Sequence, residues 1–287
     1  MTLPASKFKQ YLVLMRADRP IGSFLLLWPT LWALWLAGEG RPSASIVLIF
    51  IAGVFVMRSA GCVINDYADR HIDPDVARTC NRPIAAGLVQ PREALILFAV
   101  LCGIALLLVL QLNTLTIKLS VVAVILAASY PFVKRFTNLP QVYLGITFGW
   151  SIPMAFAAQS GQLPIVVWLL FLANICWTVA YDTMYAMVDR EDDLKIGVMS
   201  TAILFGKYDR FIIGLLQLII IVLLVLVGLI FERGSIYYFG LLLASTFFFY
   251  QQWLIAGRDP AQCLQAFLNN NWFGAVVFVG LALDYLP

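Results

Sequence analysis

The segment FIIGLLQLIIIVLLVLVGLIF, residues 211–231, runs through 21 positions without a charge. Wound as a helix at 1.5 Å per residue, it spans the ~30 Å hydrocarbon core of a bilayer. A helix is the form lipid demands of a single segment, because it pairs its own backbone groups. Working outward, apolar runs of similar length recur at about 21–38, 46–64, 94–112, 115–133, 139–158, 164–188, 236–256 and 264–286. Nine spans are therefore predicted. The composition agrees, with 62% hydrophobic and 12% charged residues among 287, against roughly 25% charged in an ordinary soluble domain.

An odd number of spans puts the two ends on opposite sides, and basic residues mark the inner side. With the N-terminus cytoplasmic, the inner segments carry 15 of the 19 Lys and Arg, the outer ones only Arg41 and Arg233, and Arg58 and Lys118 fall within spans. The net charge of +3 is a consequence of that topology and is too small and dispersed for a nucleic-acid partner. The first apolar run starts about twenty residues in and continues as a span, so a cleaved leader is not expected. No linker or low-complexity block divides the chain, and residues 1–287 read as one helical unit. The five cysteines lack C-x-x-C spacing and His71 is the only histidine. Thiolate and imidazole metal sets are thereby disfavoured, leaving oxygen ligands.

The two longest polar breaks, about 65–93 and 189–210, fall on the same side and hold most of the acid. The first contains Asn65-Asp66-Tyr67-Ala68-Asp69-Arg70-His71-Ile72-Asp73. If the second span continues as a helix, Asn65, Asp69 and Asp73 share one face. Asp189 and Asp193 repeat the spacing, with Asp182 seven residues earlier. Two carboxylate ladders facing one cavity would repel unless a cation sat between them. An oxygen-only set suits magnesium, which binds a few carboxylates together with substrate phosphates, and a diphosphate is the natural bridging group. The plain alternative is a pair of solvated loops whose acids balance nearby arginines. Matched spacing on one membrane side favours the metal.

Beyond the first motif lies Arg78-Thr79-Cys80-Asn81-Arg82-Pro83, whose Arg78 and Arg82 suit phosphate oxygens. Arg58 lies seven residues before Asn65, nearly two turns deeper. A charge within a span is expensive and usually faces a cavity, so Arg58 is expected there, paired with an anionic substrate group or an aspartate.

These residues resemble the UbiA family of membrane prenyltransferases, in particular its 4-hydroxybenzoate branch. The likeness runs through Met15-Arg16-Ala17-Asp18-Arg19-Pro20-Ile21-Gly22, Leu27-Trp28-Pro29-Thr30-Leu31-Trp32-Ala33 and Arg58 to Asp73. It continues through Arg78 to Pro83, Gly149-Trp150-Ser151-Ile152-Pro153-Met154, Tyr181-Asp182-Thr183, Tyr185-Ala186-Met187-Val188-Asp189 and Ser200 to Gly206. The resemblance implies an all-α bundle of nine transmembrane helices around a central cavity, capped by two cytoplasmic loops, in a bacterial inner membrane. It also implies Mg2+, with Asn65, Asp69, Asp189 and Asp193 nearest the metal and Asp66, Asp73 and Asp182 supporting. The reaction it implies joins the chain of a polyprenyl diphosphate to a 4-hydroxybenzoate ring.

For the allylic cation of such a reaction, Tyr67, Tyr130, Phe148, Trp150, Tyr181 and Tyr185 are candidate aromatic shelters. Arg58, Lys134 and Arg135 are options for the acceptor carboxylate. Two rivals stay open: a sister enzyme with another acceptor, and a transporter of cations or phosphate esters. The transporter predicts acids near the midplane and broken helices.

Overall fold

The computed structural model describes residues 6–75, 79–133 and 136–286, with the backbone only at Asp75, Phe132 and Ile196. The long helices among them follow the apolar runs. A short helix, α1 (Lys7–Leu14), begins at a Ser6 cap and precedes α2 (Ile21–Ala37), α3 (Ala44–Ala68), α4 (Pro91–Val109) and α5 (Thr114–Val133). Two ten-residue helices follow, α6 (Pro140–Gly149) and α7 (Ser151–Ser160), then the 32-residue α8 (Ile165–Ile196). After a single turn, α9 (Thr201–Phe205), come α10 (Asp209–Ile230), α11 (Ser235–Leu254) and α12 (Pro260–Asp284). Among the described residues, seven helical stretches are long and apolar enough to cross a membrane, and α2 is a shorter apolar helix.

The 211–231 segment became α10, and its exposure shows why it belongs in lipid. Phe211, Leu215, Leu218, Val222 and Leu229 form an exposed stripe, while Ile213, Gln217, Ile220, Leu224 and Val227 are buried on the other side. Both faces are apolar, so the outer one needs a lipid solvent.

Three differences from the sequence expectations have local causes. The run at 139–158 is divided at Trp150. Pro153 has no N–H for the Gly149 carbonyl and its ring crowds that group; Trp150 instead anchors itself by Nε1 to the Leu119 carbonyl at 2.9 Å. Helix α3 ends at Ala68, so Asp73 does not continue the face of Asn65 and Asp69. A turn follows, closed by Asp73 N–H to Asp69 O at 2.9 Å, and Asp73 opens a single 3-10 turn, Asp73–Asp75. A continued helix would drive the Pro74 ring into the Arg70 carbonyl. The second motif, by contrast, is helical rather than looped: Asp182, Asp189 and Asp193 all ride on α8.

Polar side chains fasten the bundle where lipid supplies no hydrophobic drive between helices. Three consecutive residues of α12 point to three neighbours. Asn269 accepts from Gln251 of α11 at 3.0 Å, Asn270 from Trp177 of α8 at 2.9 Å and Asn271 from Trp28 of α2 at 2.9 Å. Helices α11 and α12 also cross where Gly240 meets Gly280 and neither backbone has room for a side chain.

Candidate active site

One cavity of about 1150 Å³ opens among α2, α3, α4, α5, α6, α7, α8 and α12. Asn65, Asp66, Asp69 and Asp73 line it from one side, and Asp182, Asp189 and Asp193 from α8. The two acidic stretches, more than a hundred residues apart in the chain, thus share one chamber. Its remaining walls are largely apolar, including Phe50, Val54, Leu106, Val124, Met154 and Leu268.

The first stretch is held by a chain of ion pairs. Arg16 donates from one nitrogen to both oxygens of Asp66 at 2.9 Å, and Arg82 lies 3.1 Å from Asp66 and 3.0 Å from Asp73. Thr79 donates to the Asp73 carbonyl at 3.0 Å. The loop bearing Arg82 is seated by Ile84 and Val89, which pack with Leu14, Ala60 and Val63. Burial pushes the Asp73 carboxyl upward in pKa, and the Arg82 charge beside it opposes that shift. Arg82, expected to hold phosphate oxygens, is therefore shared with two carboxylates, and Asp66 and Asp73 act as its counter-charges. Arg16 was legible only as part of the Met15–Gly22 string. Nothing in its spacing points to Asp66, 50 residues on.

Arg58 does face the cavity. Its Nη1 donates to Cys62 Sγ at 2.8 Å, its guanidinium lies 5.7 Å from the centre of the Phe148 ring, and its buried Nε has no hydrogen-bond partner. Among the described residues no carboxylate pairs with it. Gly22 makes the seat possible, since a Cβ there would stand 2.6 Å from Arg58 Nε. Of the six aromatic candidates, Tyr130, Phe148, Trp150 and Tyr185 line the cavity. Tyr67 instead lies against Arg70, whose guanidinium is 4.4 Å from its ring centre, and Tyr181 packs on Trp177 and Phe267. Arg78, Lys134 and Arg135 lie outside the described residues.

Among the described residues no three carboxylate, Cys or His groups close into a ready-made metal cage. The chamber offers paired oxygen donors from two sides with space between them. Chemically, it can hold a polyanion at the acidic and basic rim, through cations and arginines, and an apolar chain below.

A bundle of lipid-facing helices around a chamber polar at one end and apolar along its walls defines a multi-pass membrane protein for amphiphilic substrates. The profile of the UbiA prenyltransferase family matches residues 26–276, and the chain belongs to that family. It is 60% identical over 281 residues, 98% of each chain, to 4-hydroxybenzoate octaprenyltransferase of Yersinia enterocolitica. Its structure is similar to the apo UbiA homolog from Aeropyrum pernix K1, with TM-score 0.82 and 25% identity over 92% of this chain and 98% of that one. A UbiA homolog from Archaeoglobus fulgidus, bound to GPP and Mg2+, shares the fold with TM-score 0.69 at 18% identity, over 95% of this chain and 99% of that one.

Proposed function

We propose that this chain transfers a polyprenyl group from polyprenyl diphosphate to the ring carbon ortho to the hydroxyl of 4-hydroxybenzoate, releasing diphosphate, in ubiquinone biosynthesis. The observation that carries the reading is that Asn65 and Asp69 share a largely apolar chamber with Asp189 and Asp193. The 60% identity to an octaprenyltransferase for this acceptor supports it.

The donor set fits magnesium. All four residues offer hard oxygens, and an open arrangement suits an ion that keeps waters and takes substrate phosphate oxygens. The related A. fulgidus protein bound to GPP and Mg2+ points the same way. Bound there, magnesium supplies Lewis-acid neutralisation of the departing diphosphate.

The chain's own residues do the rest. Arg82, with Arg78, holds the outer diphosphate oxygens, while Asp66 and Asp73 keep Arg82 in place. Arg58 receives the acceptor carboxylate, with Lys134 and Arg135 as further basic candidates. When the allylic C–O bond breaks, its electrons leave with diphosphate, and Tyr130, Phe148, Trp150 and Tyr185 shelter the cation. The ring carbon then forms the new C–C bond, and its proton passes to a carboxylate of the second set. Apolar walls keep out the water that would quench the cation.

Counting α2 and the broken α6–α7 pair as crossings gives nine, with residues 1–287 as one unit in a bacterial inner membrane and the N-terminus cytoplasmic. The first motif's loop and the end of α8 then cap the chamber on the cytoplasmic side. A broken helix is a transporter trait, but here the break packs against Asn174 and Phe171. Asp189 lies fifteen residues from Asn174, about 22 Å along α8, and Asp182 eight, about 12 Å, so the proposed metal-binding acids do not gather at the break.

The test supplies membranes with geranyl diphosphate, labelled 4-hydroxybenzoate and magnesium, and measures lipid-extractable label. EDTA, Asp69→Ala and Asp189→Ala are each expected to abolish product at unchanged expression. Full activity in both variants would remove the site, and no product from any aromatic acceptor would favour transport.

A further inference from the structure

Helix α8 is longer than a bilayer requires. Its 32 residues extend roughly 48 Å, against a hydrocarbon core of ~30 Å. Asp189 and Asp193 sit within its last eight residues, so an overhanging end must keep its heading for them to face the chamber. Arg190, next to Asp189 and absent from the chamber wall, reaches the other way. Its Nη2 donates to Asp209 Oδ2 at 2.5 Å. Asp209 is fully buried and opens α10, where the helix N-terminus favours an anion. It also accepts from the Arg210 backbone N–H at 2.6 Å and from Arg258 Nη2 at 2.8 Å. Arg258 sits in the α11–α12 junction and also donates to the Lys207 carbonyl at 3.0 Å. One buried carboxylate thus joins the end of α8 to α10 and to that junction.

We infer that the Arg190–Asp209 pair is a rotational tether: Arg190 is a positioning residue that turns Asp189 and Asp193 toward the diphosphate. The inference rests on the proposed site and adds a residue outside it. A helix with side chains is about 10 Å across, so a rotation of roughly 15° carries a carboxylate more than ~1 Å sideways. Displacement of that size costs roughly a hundredfold in rate.

Arg190→Met cuts the tether while leaving Asp209 paired with Arg258, so the bundle should still assemble. The full-length protein in nanodiscs would be compared with Arg190→Met, Arg190→Lys and Arg258→Met. Amide exchange is read over residues 186–196, and binding of inorganic diphosphate with magnesium is read by calorimetry. In Arg190→Met, exchange should rise roughly tenfold, as for a released local unit, and diphosphate affinity should fall at least about tenfold. Prenyl transfer should drop while KM for 4-hydroxybenzoate stays within about twofold. Arg190→Lys should recover much of the affinity. Arg258→Met, which leaves the tether intact, should keep wild-type exchange and affinity.

Unchanged exchange in Arg190→Met, faster exchange with unchanged diphosphate affinity, or an equal loss in Arg258→Met would each overturn the tether. A wild-type protein that binds magnesium diphosphate but prenylates nothing would remove the assigned reaction instead and leave the tether in place.

Discussion

Replacing Gly22 with alanine should weaken acceptor binding without unfolding the protein. The added Cβ would stand 2.6 Å from Arg58 Nε and 2.7 Å from Nη2, so the guanidinium must retreat by about 1 Å to reach ordinary contact. It is the free end of a flexible side chain, and the backbone need not move. If Arg58 meets the acceptor carboxylate at ~3 Å, retreat to ~4 Å weakens their attraction by about 1.4 kcal/mol at an effective dielectric of ~20. That is tenfold in binding. The assay is initial-rate prenyl transfer in membranes across a range of 4-hydroxybenzoate, at saturating prenyl diphosphate and magnesium, with thermal unfolding measured in parallel. KM for 4-hydroxybenzoate should rise about tenfold, with KM for the diphosphate unchanged. An unchanged acceptor KM, or a defect confined to the diphosphate, would refute the placement of Arg58.

Other outcomes follow from the contacts at the rim and in the bundle. Arg82→Ala leaves Asp66 its Arg16 partner but strips Asp73, whose carboxyl burial already pushes upward. With the opposing charge gone that carboxyl takes a proton more readily, so an infrared titration of the protonated carboxyl band should show it appearing at a higher pH than in wild type as pH falls, while KM for the prenyl diphosphate rises because Arg82 no longer holds its oxygens. Gly240→Ala places a Cβ 2.9 Å from the Gly280 backbone, and overpacking of this kind costs about 1–3 kcal/mol. Thermal unfolding in detergent should show it. Asn270→Leu leaves the buried Trp177 Nε1 without its acceptor and should cost about 1–2 kcal/mol. Its unfolding midpoint should fall, with activity retained at low temperature.

The spans were readable because a bilayer imposes a length and an apolar content on each crossing, and α10 departs from the predicted 211–231 by only a residue or two at each end. The acidic motifs were readable as composition, since carboxylates at membrane helix ends are conspicuous. Their local form was harder to read. Pro74 and Pro153 act through carbonyls four residues earlier, ending one helix path and dividing another that hydropathy draws as continuous. The second motif looked like a loop because it is polar, yet its residues prolong α8 past its apolar stretch as continuous helix. Polarity reports solvent, not backbone form.

Alone, the order of residues determined that this chain is a multi-pass membrane protein and which carboxylates merit attention. Those properties depend on the free energy of moving each segment between water and hydrocarbon, which is local and additive along the chain. Only the tertiary structure decided that Asp69 and Asp189 share a chamber, that Arg16 and Arg82 restrain Asp66 and Asp73, and that Arg190 turns back to Asp209. Charges act through distance in space, and apolar side chains that all suit lipid equally carry little information about which helix lies beside which. That choice is made by close glycine crossings, asparagine and tryptophan hydrogen bonds and buried ion pairs, and these exist only once the helices have met.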